Sequence, residues 1–489
     1  MRRTVTRTAA RVRSLPAALV VLLALAAVHG TAWAVMTAPW NGPDETAHFA
    51  YAEHLAQTGH APQRNRGEGS QSTAQNLALY QLNLLPIRLL PGGRPTYSAL
   101  PRTKEALTRL PDAAYKNGSG PNAAANYPPL YYAYEAVAYR VSPFRSELGR
   151  LFTMRMATVV LFVVTVGLTW AIAAELLAAA WACALATGLV ALQPKLAFGG
   201  GIVNPDLMLV VFATGALLAA LRIVRWGPTL GTVVALATCS CAGVFTHPRG
   251  YFLAPFAVIA LAIGGLRFRA RLRWTLRAAG AAVGAIVVAV LAAMLWVRGH
   301  TAGPGGSGAG NPPLAVNPRQ FLSYLWQFYL PKLSFMDPKV GPSFYGYRQV
   351  YIESFFGSFA SFSVNYRPVV YDGLQLGAGL GIAALYTTVV ARWRTLLANW
   401  PVVVLCTTFF GGLMALLHIV SYSSLRTSPD VVITGRYLLP AVALYGVATA
   451  WVCSSLPRRV GLPLAGVLLG LAALLAVGGV GLSMSRFYA

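Results

Sequence analysis

Residues 152–175 read FTMRMATVVLFVVTVGLTWAIAAE, and between Arg155 and Glu175 the stretch carries no charge. A run of roughly 20 apolar residues is long enough to cross the hydrocarbon core of a bilayer as a helix. Ten further runs of the same kind occur at 14–36, 178–194, 205–222, 228–246, 250–266, 276–297, 373–391, 399–421, 437–454 and 460–482. The expected fold class is therefore an all-α polytopic membrane protein of about eleven transmembrane helices.

Composition agrees. Of 489 residues, 56% are hydrophobic and only 11% charged, too few charges to cover a soluble surface. A net charge of +25 would suggest a nucleic-acid partner in a soluble chain. Here the cations sit in short loops between apolar runs, so membrane lipids and topology account for them, and no nucleic-acid partner is expected. The five cysteines (Cys183, Cys239, Cys241, Cys406 and Cys453) all fall inside apolar runs, which argues against a disulfide-stapled exported domain. Arg2 to Ala34 also fits a signal peptide, with Ala32-Trp33-Ala34 as the cleavage site. The length of the run from Leu15 to Met36 favours an uncleaved first span instead.

Orientation follows from charge asymmetry. With the N-terminus inside, the cytoplasmic segments hold Arg2, Arg3, Arg7, Arg11, Arg13, Arg222, Arg225, Arg267, Arg269, Arg271, Arg273, Arg277, Arg392, Arg394, Arg458 and Arg459. They hold one acid, Glu175; the other thirteen of the fourteen Asp and Glu residues fall outside. The expected location is the inner (cytoplasmic) membrane, with the working face extracytoplasmic.

The chain divides into an N-terminal transmembrane module (1–297), a second long external loop (298–372) and C-terminal transmembrane helices (373–489). The first external loop, 37–149, lies within the module. It contains 44-DETAHFAYAEHLAQTG-59, where Phe49, Ala52 and Leu55 recur at helical spacing and Gly59 can cap the end. Three aromatic stretches, 127-YPPLYYAYEAVAYRV-141, 320-QFLSYLWQFYLPKLSF-335 and 349-QVYIESFFGSFASF-362, read as amphipathic helices along the interface, with Tyr at headgroup depth. Between them 302-AGPGGSGAGNPP-313 reads as a flexible linker.

Three groups of residues carry candidate chemistry. Asp44-Glu45 follows the first span closely, and Pro43 fits the first position of a helix whose positive end both acids would favour. His48 comes one turn later on the same face. A carboxylate held at the membrane surface can also take a proton from a sugar hydroxyl. Asn204-Pro205-Asp206 opens the fourth span, where Asp206 reads as a helix-start acid, a sugar ligand, or half of a site for a divalent cation (Mg2+ or Mn2+). No cofactor is certain. The third group is cationic: Arg150 and Arg155 at the second span, Lys195 leaving the third, Arg249 in 246-THPRGYF-252 and Arg436 in 434-TGRYLLP-440. Positive-inside bias removes cations from such places. They either snorkel to lipid headgroups or bind phosphate, and Arg grips two phosphate oxygens at once. Arg155, a turn inside its span, needs a cavity or a partner. His29 and His418 read as helix-packing residues, and His247 stands out beside Arg249.

The motifs 43-PDETAHF-49, 127-YPPLYY-132, 203-VNPD-206, 247-HPRGYFLAPF-256, 354-SFFGSFASF-362 and 435-GRYLLP-440, in this order, resemble the GT-C superfamily of integral-membrane glycosyltransferases. Within it they are similar to a bacterial branch known as a domain of unknown function. The resemblance implies a polyprenyl-phosphate-linked sugar donor, an extracytoplasmic glycan or lipid acceptor, and a catalytic acid in the first external loop. Asp44 or Glu45 matches that acid, with His48 assisting. Arg155, Lys195, Arg249 and Arg436 would hold the donor phosphate, and Asn204 and Asp206 the sugar or a cation. A transporter or flippase for lipid-linked glycans is the alternative.

Overall fold

A computed structural model describes residues 16–85, 93–116, 118–268, 272–301, 317–336, 346–360, 363–427 and 433–489. The stretch 302–313, Arg2, Arg3, Arg7, Arg11, Arg13, Arg269, Arg271 and the last two residues of 354–362 lie outside them. The described chain is helical, with three isolated β-bridges.

Nine described helices are long and apolar enough to span a membrane. They are Ala17–Met36, Glu147–Leu176, Asp206–Trp226, Pro248–Arg267, Leu276–His300, Pro368–Ala391, Trp400–Leu425, Gly435–Ser455 and Arg458–Tyr488. Two expected spans take other forms. The run 178–194 becomes a bent pair, Ala180–Ala191 and Pro194–Gly200, turned by 59°. Pro194 causes the break: it has no N–H to continue the first helix but starts the second well, and the Gln193 side chain accepts from Leu196 N. The other is Leu230–Thr246, apolar but only 17 residues long. At 1.5 Å per residue it reaches about 26 Å, close to the thickness of the hydrocarbon core.

The spans pack through small residues and satisfy their own polar groups. A Cβ on Gly446 would collide with the Ala186 carbonyl, so helix Val442–Ser455 approaches Ala180–Ala191 backbone to backbone. Thr165, Thr169, Thr187 and Thr214 each return their hydroxyl to the carbonyl four residues earlier. Val20, Val21 and Val28 of the first span and the apolar face of Pro368–Ala391 remain exposed, as lipid-facing residues should.

The two ends of the bundle differ. At one end Glu175 pairs with Arg222 at 3.1 Å and Arg225 at 3.6 Å, which explains the single acid on the arginine-rich side. At the other end the starts of Asp206–Trp226, Pro248–Arg267 and Gly435–Ser455 meet the chain leaving the first span.

The first loop packs onto this second end. Helix Glu45–Thr58 forms over the quoted motif and Gly59 (φ 79°) ends it, donating to Leu55 O. It starts at Glu45, two residues later than Pro43 suggested. Helix Leu130–Val141 forms too, and its Tyr131, Tyr132 and Tyr139 are buried against neighbouring helices. Their hydroxyls have internal partners in Thr158, His48 and Glu53, and a buried hydroxyl needs such partners.

Candidate active site

The first span ends at Met36, and its last carbonyls need donors that the helix itself cannot supply. Arg155 supplies them. Its Nη1 donates to the carbonyls of Ala34 (3.0 Å) and Thr37 (2.7 Å), and its Nη2 to Ala38 (3.0 Å). The remaining donors form a fork to Glu45, Nε to Oε1 at 2.8 Å and Nη2 to Oε2 at 2.7 Å. Both Glu45 oxygens accept once more, from Val203 N and Gly42 N, each at 3.0 Å. Glu45 is fully buried and Arg155 nearly so. With all five donors engaged, Arg155 has no N–H to offer a phosphate. Its place inside a span is explained by this clamp, which joins the first span, the helix Glu147–Leu176 and the segment before Asp206.

Asp44 precedes Glu45 but points elsewhere. Its backbone lies in the left-handed region (φ 58°), as does that of Trp40 (φ 53°), an uncommon conformation for a residue with a side chain. This turn takes Asp44 out of helical phase with Glu45 and His48. The two carboxylates turn to different partners, while His48 stays near enough to feel the charges of both. The Asp44 side chain makes no capping bond; its Oδ2 accepts from Arg436 Nη2 at 3.2 Å, and the carboxylate is 62% exposed.

Arg436 bridges two carboxylates, its Nε lying 3.6 Å from Asp206 Oδ2. Asp206 is buried and its other oxygen takes a close hydrogen bond from Arg249. Tyr437 lies beneath both cations, with the guanidinium carbons of Arg249 and Arg436 at 3.7 and 5.1 Å from its ring centre. Arg249 is steadied by its neighbour: its backbone N donates to His247 Nδ1 at 3.0 Å, and Nη2 is 3.0 Å from His247 Nε2. Burial and the adjacent Arg249 charge push His247 well below its ordinary pKa, which leaves the ring neutral. Nη1 of Arg249 and Nη1 of Arg436 are buried with no hydrogen-bond partner. Lys195 stands close enough to feel the charges of Arg436 and Asp206. It sits buried on the second helix of the bent pair, donating to Ser358 O beside Phe198 and Phe359. Three cations thus meet two carboxylates, and two guanidinium N–H groups stay available to an anion.

The polar atoms of Asn204 and Asp206 are engaged within the chain. The Asn204 amide oxygen accepts from Asp206 N at 2.9 Å, and its NH2 donates to Pro43 O at 3.2 Å. Both Asp206 oxygens face guanidinium groups, a surrounding that repels a divalent ion. The position between the two carboxylates belongs to Arg436.

His48 lies one turn beyond Asp44, buried among tyrosines. Its Nδ1 is 2.8 Å from Tyr132 Oη, Tyr51 stacks on Tyr132 at 3.6 Å, and Tyr127 meets its ring edge-on. Burial pushes its pKa down to about 4, so it is neutral near pH 7. Tyr127 also touches His247, with ring centres 4.9 Å apart, and so links the His48 group to the arginine pair. Neither Tyr127 nor Tyr437 stood out in the sequence as a site residue, although each lies in a quoted motif. For Tyr437 the available signal was an aromatic residue beside a cation at the start of a span; Tyr127 has no cation beside it in the sequence. His29 and His418 pack between helices as expected, His29 against Ala191 O and Trp33, His418 against Tyr324, Tyr329 and Tyr351.

A family profile described as "Predicted membrane protein (DUF2142)" matches residues 27–445. Among curated proteins none matches the sequence. Similar solved structures include ArnT from Cupriavidus metallidurans in the apo state, at 14% identity and TM-score 0.46, over 96% of this chain and 73% of that one. The same protein bound to undecaprenyl phosphate gives 15%, 0.46, 96% and 71%. The Archaeoglobus fulgidus oligosaccharyltransferase in the apo form gives 13% and 0.47, over 96% of this chain and 56% of that one.

Proposed function

The chain belongs to the predicted membrane protein family DUF2142, and from that premise we propose that it is a GT-C-type glycosyltransferase. It would move a sugar from a polyprenyl-phosphate donor to a glycan or lipid acceptor at the extracytoplasmic face of the cytoplasmic membrane. One observation carries the reading: the exposed carboxylate of Asp44 lies 3.2 Å from Arg436, whose Nη1, like that of Arg249, has no partner. A base and an anion site therefore adjoin at the membrane end of the bundle.

In this reading the donor phosphate lies against Arg249 and Arg436, with Lys195 behind. Asp44 takes the proton of the acceptor hydroxyl as its oxygen bonds the anomeric carbon. The bond from that carbon to the phosphate oxygen breaks with inversion, and the arginines stabilise the phosphate as its charge grows. Asp206 holds both guanidinium groups in place, and Tyr437 supports them from below. His48 is a positioning residue, and Glu45 and Arg155 hold the loop that carries Asp44. No step passes through a metal ion.

A flippase would need ionisable groups along a path through mid-membrane. The arginine–aspartate cluster described here gathers at span ends, which favours the enzyme. The test is transfer from a polyprenyl-phosphate sugar to an acceptor in liposomes. Loss of transfer in Asp44→Asn, with the protein still folded, supports the reading with Asp44 as base; unchanged transfer in that variant assigns the base elsewhere, and absence of transfer by the wild type overturns the reading.

A further inference from the structure

The C-terminal end of helix Glu45–Thr58 carries a second cluster, away from the arginines. Gly59 (φ 79°) reverses the chain, and the His60 ring comes back against His54, with ring centres 5.1 Å apart. The Thr58 hydroxyl ties the turn by donating to His54 O at 2.7 Å and His60 O at 3.2 Å. A second turn, Arg64–Arg66 ended by Gly67 (φ 66°), returns Glu68 to the same place. Gln63 N donates to Glu68 Oε2 at 3.1 Å, and Glu68 is fixed through an antiparallel bridge to Ser119. Ligand atoms of His54, His60 and Glu68 all lie within 4.8 Å of one another. His54 Nε2 is buried without a hydrogen-bond partner.

The geometry points to a transition-metal site at His54, His60 and Glu68, of the class that binds Zn2+. Two imidazoles and one carboxylate form a donor set that Zn2+ takes in tetrahedral sites, with a fourth position for water or another ligand. Bonds of about 2.0–2.2 Å place tetrahedral ligand atoms about 3.4 Å apart. The side chains therefore need to close by on the order of 1 Å, which the exposed His60 can do by rotation. The orphaned His54 nitrogen is the second, independent sign, because a buried acceptor or donor without a partner is costly. The ion would fasten three segments of the first loop together: the helix end, the turn after Gly59 and the β-bridge at Glu68 that follows Gly67. It lies ten residues along the helix from Asp44, about 15 Å, and so acts on the loop rather than on the reacting atoms. This inference stands whether or not the chain transfers sugar.

The test uses the full chain in detergent, with any purification tag removed and metal stripped by chelator. Co2+ is titrated in, followed by Zn2+ competition. We expect a visible d–d band of tetrahedral Co2+, one equivalent of binding, and displacement by Zn2+. His60→Ala and Glu68→Gln should weaken Zn2+ binding at least tenfold, and Zn2+ should raise the melting temperature of the wild type but not of His60→Ala. His60 is exposed, so its variant keeps the metal-free melting temperature of the wild type. Absence of the Co2+ band in the wild type, or identical titrations for wild type and variants, overturns the site.

Discussion

Asp44 and Glu45 are adjacent in the chain, yet their carboxylates part company, Asp44 to Arg436 at 3.2 Å and Glu45 to the buried fork of Arg155 at 2.7–2.8 Å. The left-handed backbone at Asp44 makes the division possible. One carboxylate is exposed and held by a single bond. The other is sealed and fully bonded, and so fitted to hold structure rather than to exchange protons.

The two acids should accordingly fail in different ways when altered. Asp44→Asn should leave the melting temperature near that of the wild type and lower turnover by roughly 10²–10⁴, the range for a positioned base. Glu45→Gln leaves Arg155 as a buried charge without its partner, which costs about 3–5 kcal/mol. It should lower the melting temperature sharply. Turnover per folded molecule separates the two; normal turnover in Asp44→Asn would assign the base elsewhere.

Arg249 and Arg436 should bind donor through their unpartnered Nη1 groups. Alanine at either position should weaken donor binding by about 1.5–3 kcal/mol, the worth of a charged hydrogen bond. Lysine should restore only part, because the two-pronged geometry is lost. Arg155→Lys should instead act on stability, with donor affinity unchanged in the folded fraction. Equilibrium binding of a polyprenyl phosphate checks all three.

Glu135 makes a pH prediction. It is fully buried on helix Leu130–Val141, its Oε1 accepting from the Thr158 hydroxyl at 2.9 Å and its Oε2 unpartnered. Burial pushes its pKa up to about 8, from an ordinary value near 4.5. The folded state thus holds a proton that the unfolded chain releases above pH 4.5. Stability should fall as pH rises from about 4.5 to about 8 and then level off. Glu135→Gln should remove this slope and melt higher than the wild type at pH 8. Parallel melting curves across that window would show that Glu135 is ionised in the fold.

Orientation can be checked directly. A reporter active only outside the cytoplasm should be active when fused after Gly120 and inactive when fused after Arg394. The reverse result would place Asp44 in the cytoplasm.

The spans were legible because a bilayer sets a length that apolar runs must meet, and the described helices fall on the eleven marked stretches. Arg249 and Arg436 were legible as cations that positive-inside bias should have excluded, and Asp206 as an acid at the start of a span. Three features were hidden. The partner of Arg155 lies 110 residues away in the chain, and spacing cannot reveal such a pairing. The positive φ of Asp44, which turns its carboxylate to Arg436, leaves no trace in helical spacing. The tyrosines of 127–141 have the same period whether they face lipid headgroups or another helix. Only the helices Glu45–Thr58 and Glu147–Leu176 packed beside them decide which.

Arg436 reaches the cluster 392 residues after Asp44. A growing chain emerges from the ribosome in order, so Asp44 is laid down long before the arginine that pairs with it. Until the Gly435–Ser455 span is inserted, Asp206 lacks one of its two cations and Asp44 has no partner. A chain truncated before that span can thus seat its earlier helices and still lack the arginine–aspartate cluster. The cluster is completed only when its last contributing span arrives.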